Sequence, residues 1–228
     1  MKSLTHYHTL ADLFEYPDAH FPQKVRAVKR VLDGRCPAAA EALDRFLVLL
    51  PESDVVAMQE LFIRSFDVQA MTTLDIGYVL FGDDYKRGEL LANLSREHRE
   101  ADNDCGRELA DHLPNLLRLL SKLKDEELVE ELVDSILAPA LREMRGEFSA
   151  ERIEKKNASY KKHYKTIIDT PFVQNEAVTL YQFALKALYE VLDQDFSLVE
   201  TVPSAHANDF LGSLSRENEI EKRAEAAD

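Results

Sequence analysis

From Leu4 to Leu192 the apolar residues recur at intervals of three and four, and most of these runs are closed by proline or glycine. That period lines one face of an α-helix, whereas a half-buried strand would alternate. Tyr7, Leu10, Ala11 and Phe14 form a first stripe, stopped at Tyr16-Pro17 because the residue before proline is pushed out of the α region. Val25, Val28 and Leu32 form a second, with Gly34 at its C-terminal end, and Pro37 suits the first turn of a third that buries Ala39, Leu43, Phe46, Leu47 and Leu50. Ser53 is positioned to cap a fourth helix, facing inward through Val55, Met58, Leu61, Phe62 and Phe66. A short buried helix is expected to end at Phe81-Gly82, and another starts at Asp83 or Asp84 and carries Leu90, Leu91, Leu94 and His98. After a loop over 101–106, Leu109, Leu113, Leu116, Leu117, Leu120 and Leu123 make a strong stripe that Pro114 should perturb. Asp125 caps the next helix, which Pro139 kinks or breaks, and a last stripe runs from Val173 to Leu192.

The fold class expected is all-α, a single-domain multi-helix bundle over 1–196. Seven glycines and eight prolines in 228 residues are too few for turn-dense β folds, and no linker divides the chain. Residues 197–228 are polar without clear period and are expected to form a disordered tail. The formal charge of −14 argues against nucleic acid, which needs a basic face, and favours a basic or amphipathic peptide. The segment 145–170 is the one basic block, read as a solvated face, with an anionic contact as the minority reading. The N-terminus has neither an apolar core nor a twin arginine, and no apolar run is long enough to span a bilayer, so a cytoplasmic protein without membrane insertion is expected. Cys36 and Cys105 are read as two buried thiols in a reducing compartment.

Catalytic chemistry finds no motif. His6 and His8 point to different helix faces, no histidine lies three or four residues from another, and none completes a Glu-x-x-His pair. Phosphate-binding and nucleophile-elbow glycine patterns are also missing, so the chain is expected not to be an enzyme and to hold no stable cofactor. Two segments differ from plain turns: Gly82-Asp83-Asp84-Tyr85-Lys86-Arg87-Gly88, and Glu108-Leu109-Ala110-Asp111-His112-Leu113-Pro114. Caps account for Gly82 and the aspartates, but Gly88 inside a helix costs about 1 kcal/mol relative to alanine and suggests a close backbone approach. Glu108 and His112 read as an i,i+4 helical pair. Residues alone leave binding and plain packing both open.

With Leu10…Tyr16-Pro17-Asp18 and Phe66-Asp67 before them, these segments resemble the NarJ/TorD-type redox-enzyme maturation chaperones, the nitrate reductase delta-subunit-like family, and the NarJ branch more than the TorD branch. Ala110 stands where that branch usually has proline, and the region after Arg145 has no counterpart. The resemblance implies a system-specific chaperone that binds the N-terminal leader of a molybdopterin oxidoreductase catalytic subunit and supports molybdenum cofactor insertion; the cofactor belongs to the client. It implies a peptide trough of Phe62, Phe66 and Tyr85, an acidic rim of Asp67, Asp83, Asp84 and Asp111 oriented through hydrogen bonds by Arg87 and His112, and Gly88 as a peptide-binding position of close backbone approach. The competing reading of Phe62 and Phe66 is simple core. A monomer is expected, with a dimer as the alternative; a helical adaptor bridging subunits of a respiratory complex, or a helical enzyme with a carboxylate site, are the other functional readings.

Overall fold

Aspartates and prolines mark where most of the helices start. In the computed structural model, which describes residues 3–68, 70–163 and 176–198, the side chains of Asp54, Asp84 and Asp125 each accept from N–H groups of the turn they precede. Those donors have no partner within the helix, so each cap contributes about 1 kcal/mol. Pro22, Pro37 and Pro114 sit in first turns, where the missing N–H leaves no bond unmade.

The elements are α1 (His6–Leu10), running on into a 3-10 turn (Ala11–Phe14), α2 (Phe21–Asp33), α3 (Pro37–Leu49), α4 (Val55–Phe66), α5 (Ile76–Phe81) and α6 (Tyr85–Glu100). They continue with α7 (Leu113–Leu120), α8 (Glu126–Leu132), α9 (Ala138–Gly146), α10 (Ala150–His163) and α11 (Tyr181–Phe196). No strand occurs among the described residues, only an isolated antiparallel bridge between Asp75 and His112. The fold is all-α, and none of the described helices is long and apolar enough to cross a membrane.

Packing follows from the stripes. α11 lies against α3 and α9, α2 against α3, α1 and its 3-10 turn against α7, and α5 against α6 and α9. Buried side chains from Leu4 to Leu192 join in one cluster, whose largest fully buried members include Tyr7, Phe14, Phe21, Phe46 and Tyr181. Each such side chain contributes about 1.5–3 kcal/mol by leaving water. The two ends of the described chain are pinned by one carboxylate: Asp195 of α11 meets His6 Nε2 (2.8 Å) and accepts from Tyr7 Oη (3.1 Å) and Arg35 Nη2 (2.8 Å). Burial pushes Asp195 up, but the bonds from His6 and Arg35 outweigh it and hold the carboxyl below its ordinary range.

Several local expectations are corrected. Asp54, not Ser53, caps α4, because its carboxylate reaches Ala57 N–H at 3.0 Å. α5 buries only Ile76 and Gly77 and leaves Tyr78 44% exposed, since six residues make under two turns and can turn only one side inward. The stretch before α7 is turn rather than helix, so Glu108 and His112 are not stacked on one face, and Pro114 starts a helix instead of disturbing one. At Pro139 the chain stays helical: the preceding turn, Val133–Leu137, widens to a π-helix, which accommodates the ring and the lost N–H. Of the two thiols, Cys36 is enclosed, but Cys105 is left partly open. The residues beyond 198 in the expected tail, the 164–170 part of the basic block and the expected helix start at Val173 lie outside the described residues.

Candidate functional site

Two connections with no periodic signal are stitched together at the bridge. Ile76 N–H donates to Asp111 O (3.0 Å) and Leu113 N–H to Leu74 O (2.8 Å), which sets Asp75 beside His112. Arg87, in the first turn of α6, spans both acids, donating from Nη2 to Asp75 Oδ2 (2.9 Å) and from Nε to Asp111 Oδ2 (3.2 Å). Its guanidinium lies 5.3 Å from the centroid of the Tyr78 ring. Gly77 N–H adds a bond to Asp111 Oδ2 (3.1 Å), and His112 Nδ1 sits 3.4 Å from Asp75 Oδ1.

The two aspartates are electrostatically unlike. Asp111 is 0% exposed, and its burial pushes the carboxyl up despite Arg87 and the Gly77 N–H. Asp75 retains 31% of its side-chain exposure and is held below its ordinary value by His112 and then Arg87, against its own burial. Asp111 is thus an internal anchor for Arg87, while Asp75 is an ionised group open to solvent.

Two clefts meet at this cluster. The first, about 720 Å³, is lined by Phe14, Tyr16, Phe62 and Phe66 together with Asp104 to Glu108, His112, Pro114, Asn115 and Arg118. Five carboxylates line it against two arginines, and one of those, Arg118, is already bonded to Glu15. The second, about 640 Å³, shares Phe66, Asp67, Thr73 and Asp75 with the first and extends to Arg87, Glu143, Glu147 and Lys156. The aromatic wall is rigid: Phe62 and Phe66 stack edge-on with each other (5.2 Å between centroids) and with the buried Tyr181 (5.6 and 4.9 Å). Such pairs contribute about 0.5–1.5 kcal/mol beyond their buried area. Aromatic side chains and carboxylates lining one cleft suit a partner that carries both apolar and cationic groups.

Over 101–112 the cleft's rim has no regular structure and is held by buried side chains. Asn103 Nδ2 donates to His98 Nδ1 (2.9 Å) and Asn115 O (3.2 Å), His98 Nε2 donates to Ala110 O (2.9 Å), and Asn115 Nδ2 donates to Cys105 O and Leu109 O (3.2 and 3.1 Å). With Nδ1 accepting, His98 is neutral, and burial lowers its pKa below the ordinary value. A base whose folded pKa is depressed supplies stability above its unfolded pKa, about 6.5, and loses it as pH falls toward the folded value. Wild type is therefore expected to lose more melting temperature between pH 7 and pH 5 than His98→Gln, measured by circular dichroism; parallel profiles would remove His98 from the rim's support.

The expected site residues divide. Phe62, Phe66, Asp67 and His112 line the first cleft, and Phe66, Asp67 and Arg87 the second. Phe62 and Phe66 are wall and core at once, since Phe66 belongs to the buried hydrophobic cluster and the half-buried Phe62 packs against it. Asp111 is not on a rim: it is enclosed and bonded to Arg87. Asp83, Asp84, the 78% exposed Tyr85 and Gly88 line neither cleft. The close approach inferred at Gly88 occurs instead at Gly77, because a Cβ at Gly88 would meet nothing within 4 Å while one at Gly77 would lie 2.7 Å from Asp111 Oδ2. Asp75, Asn103 and Asn115 are site residues that the sequence reading does not single out; for the first, a usable signal is the acid directly before Ile76-Gly77 at the head of a short apolar run. Among the described residues no group of three or more His, Cys, Asp and Glu side chains converges to hold a metal ion. No protein-family model and no curated protein matches the sequence.

Proposed function

We propose that this protein is a chaperone of the NarJ/TorD type, which binds the N-terminal leader of a molybdopterin oxidoreductase catalytic subunit in the cytoplasm while the client receives its molybdenum cofactor. The observation that carries the reading is the first cleft, where Tyr16, the Phe66-Asp67 pair and His112 with Pro114, drawn from three separated stretches that carry the family resemblance, line one acidic, aromatic-walled groove. A leader that forms an amphipathic helix buries its apolar face on such a wall and sets its basic residues against the carboxylates. Mutual attraction also speeds encounter, at a rate that falls with salt.

The test is a fluorescence anisotropy titration with a labelled twin-arginine leader peptide. Asp67→Lys is expected to weaken binding by at least about tenfold, which corresponds to about 1.4 kcal/mol, while Asp83→Lys, outside both clefts, leaves affinity within about twofold. Equal losses in both variants would mean that overall charge, not the cleft, attracts the peptide. Recovery of the protein from cells with a cofactor-loaded complex, rather than with the cofactor-free catalytic subunit, would turn the reading toward an adaptor.

A further inference from the structure

The second cleft already contains a cation supplied by the chain itself. Lys156, midway along α10, donates from Nζ to Ala70 O (3.3 Å) and to Met71 O, and lies 3.0 Å from Glu147 Oε2. An ammonium has three N–H donors and no acceptor, so two carbonyls and a carboxylate match its requirements. The acceptors are held in place independently of the lysine: Met71 N–H bonds to Arg64 O (3.1 Å) and Thr72 N–H to Ser65 O (3.0 Å), which fixes this turn against the end of α4. Glu147 is fixed from the other side, at the C-terminal end of α9. The lysine, in contrast, is the adaptable member. Its side chain remains 29% exposed, and confining a four-carbon stem to one conformation costs up to about 2 kcal/mol of rotamer freedom.

From this geometry we infer that the second cleft is a subsite for a cationic side chain, lysine or arginine, of the bound peptide, and that Lys156 occupies it as an internal stand-in which the peptide displaces. The inference rests on the leader-peptide reading for the identity of the ligand, but the cation site is defined by Ala70, Met71 and Glu147 alone. Lys156 then acts as a competitor in cis: the apparent affinity is reduced by the fraction of molecules in which it fills the site. Displacement also releases α10 from the turn after α4, so occupancy of the groove is reported to the part of the chain that follows α9.

Chemical rescue separates the site from the reading on which it rests. Lys156→Ala leaves the Ala70 and Met71 carbonyls without their cation and Glu147 with only the more distant Arg152, at 3.7 Å; added n-butylammonium is expected to raise the melting temperature of this variant and not that of wild type, and n-butanol to raise neither. No rescue, or equal rescue by the alcohol, overturns the cation subsite. In the second arm, a labelled twin-arginine leader is compared with the same peptide carrying norleucine at both arginines. Lys156→Ala, or Lys156→Met if alanine prevents folding, is expected to bind the basic peptide at least threefold more tightly than wild type, with no gain for the neutral one. Unchanged affinity for the basic peptide overturns displacement. Rescue by n-butylammonium without binding of the leader by either protein keeps the subsite and removes the leader as its ligand.

Discussion

Arg87→Met is expected to lower the unfolding free energy by about 3–5 kcal/mol at pH 8, the cost of breaking a buried ion pair by removing one partner. Methionine keeps most of the apolar stem, so the loss reports the guanidinium. Without it Asp111, 0% exposed, is left with the Gly77 N–H alone, and its other oxygen has no partner even in the intact protein. The loss should depend on pH in a definite direction. Burial already raises the Asp111 carboxyl above its ordinary value in the presence of Arg87, and removing the cation raises it further. A carboxyl with a raised folded pKa supports folding below its unfolded value, about 3.9, and that support is lost as pH rises through the folded value. The deficit of Arg87→Met against wild type therefore shrinks on going from pH 8 to pH 5, as the orphaned acid takes up a proton. Adding Asp111→Asn to Arg87→Met should recover much of the loss at pH 8, and urea denaturation of the four proteins in the cycle measures the coupling. A single-variant cost under about 1 kcal/mol at pH 8 would mean that solvent, not Arg87, satisfies Asp111.

That pair also shows which parts of the molecule were legible in the sequence. Helices were, because their signals are local: the spacing of Leu90, Leu94 and His98, the cap at Asp125 and the proline at residue 37 act within a few residues of themselves. The partnership of Arg87 with Asp111 spans 24 residues and leaves no period behind. Both residues were singled out, but as an orienting group and an exposed acid, and the depth of Asp111 followed only from the bridge at Asp75 and His112. The rim was misread for a related reason. Leu109 extends the leucine stripe of α7, yet it is 48% exposed, because Asn115 and His98 take up the carbonyls of Leu109 and Ala110 and hold the chain in turns. Phe62 and Phe66 were legible as one face of α4 from their i,i+4 spacing, a pattern that core packing produces as readily as a cleft wall. Lys156 was not: one lysine in a basic block looks like solvated surface until its acceptors, more than eighty residues earlier, are brought to it.

The same limit explains a pair of glycines for which one substitution has opposite expected signs. Gly88 is exposed within α6, and a Cβ there meets nothing within 4 Å. Gly88→Ala thus removes only the conformational freedom of glycine in the unfolded chain and is expected to stabilise by about 1 kcal/mol. Gly77 is the second residue of α5, against the site, where a Cβ would stand 2.7 Å from Asp111 Oδ2, 3.1 Å from Leu90 Cδ2 and 3.2 Å from Arg87 Cγ. The carboxylate cannot retreat without giving up the Gly77 N–H and Arg87 together, and Leu90 and Arg87 close the other directions. Overpacking of this kind costs about 1–3 kcal/mol by itself, and an Asp111 forced off its cation adds part of the loss expected for Arg87→Met. Gly77→Ala is accordingly expected to destabilise by about 3 kcal/mol or more, to lower affinity for a leader peptide by moving Asp75 at the junction of the clefts, and to lose most of its effect when Asp111→Ala makes room. Urea midpoints for Gly77→Ala, Gly88→Ala, Asp111→Ala and the double variant Gly77→Ala/Asp111→Ala read the stability outcomes, and the anisotropy titration reads the affinity; a Gly77→Ala protein as stable as wild type would show that Asp111 has a second arrangement available, and that the anchor for Arg87 is not rigid.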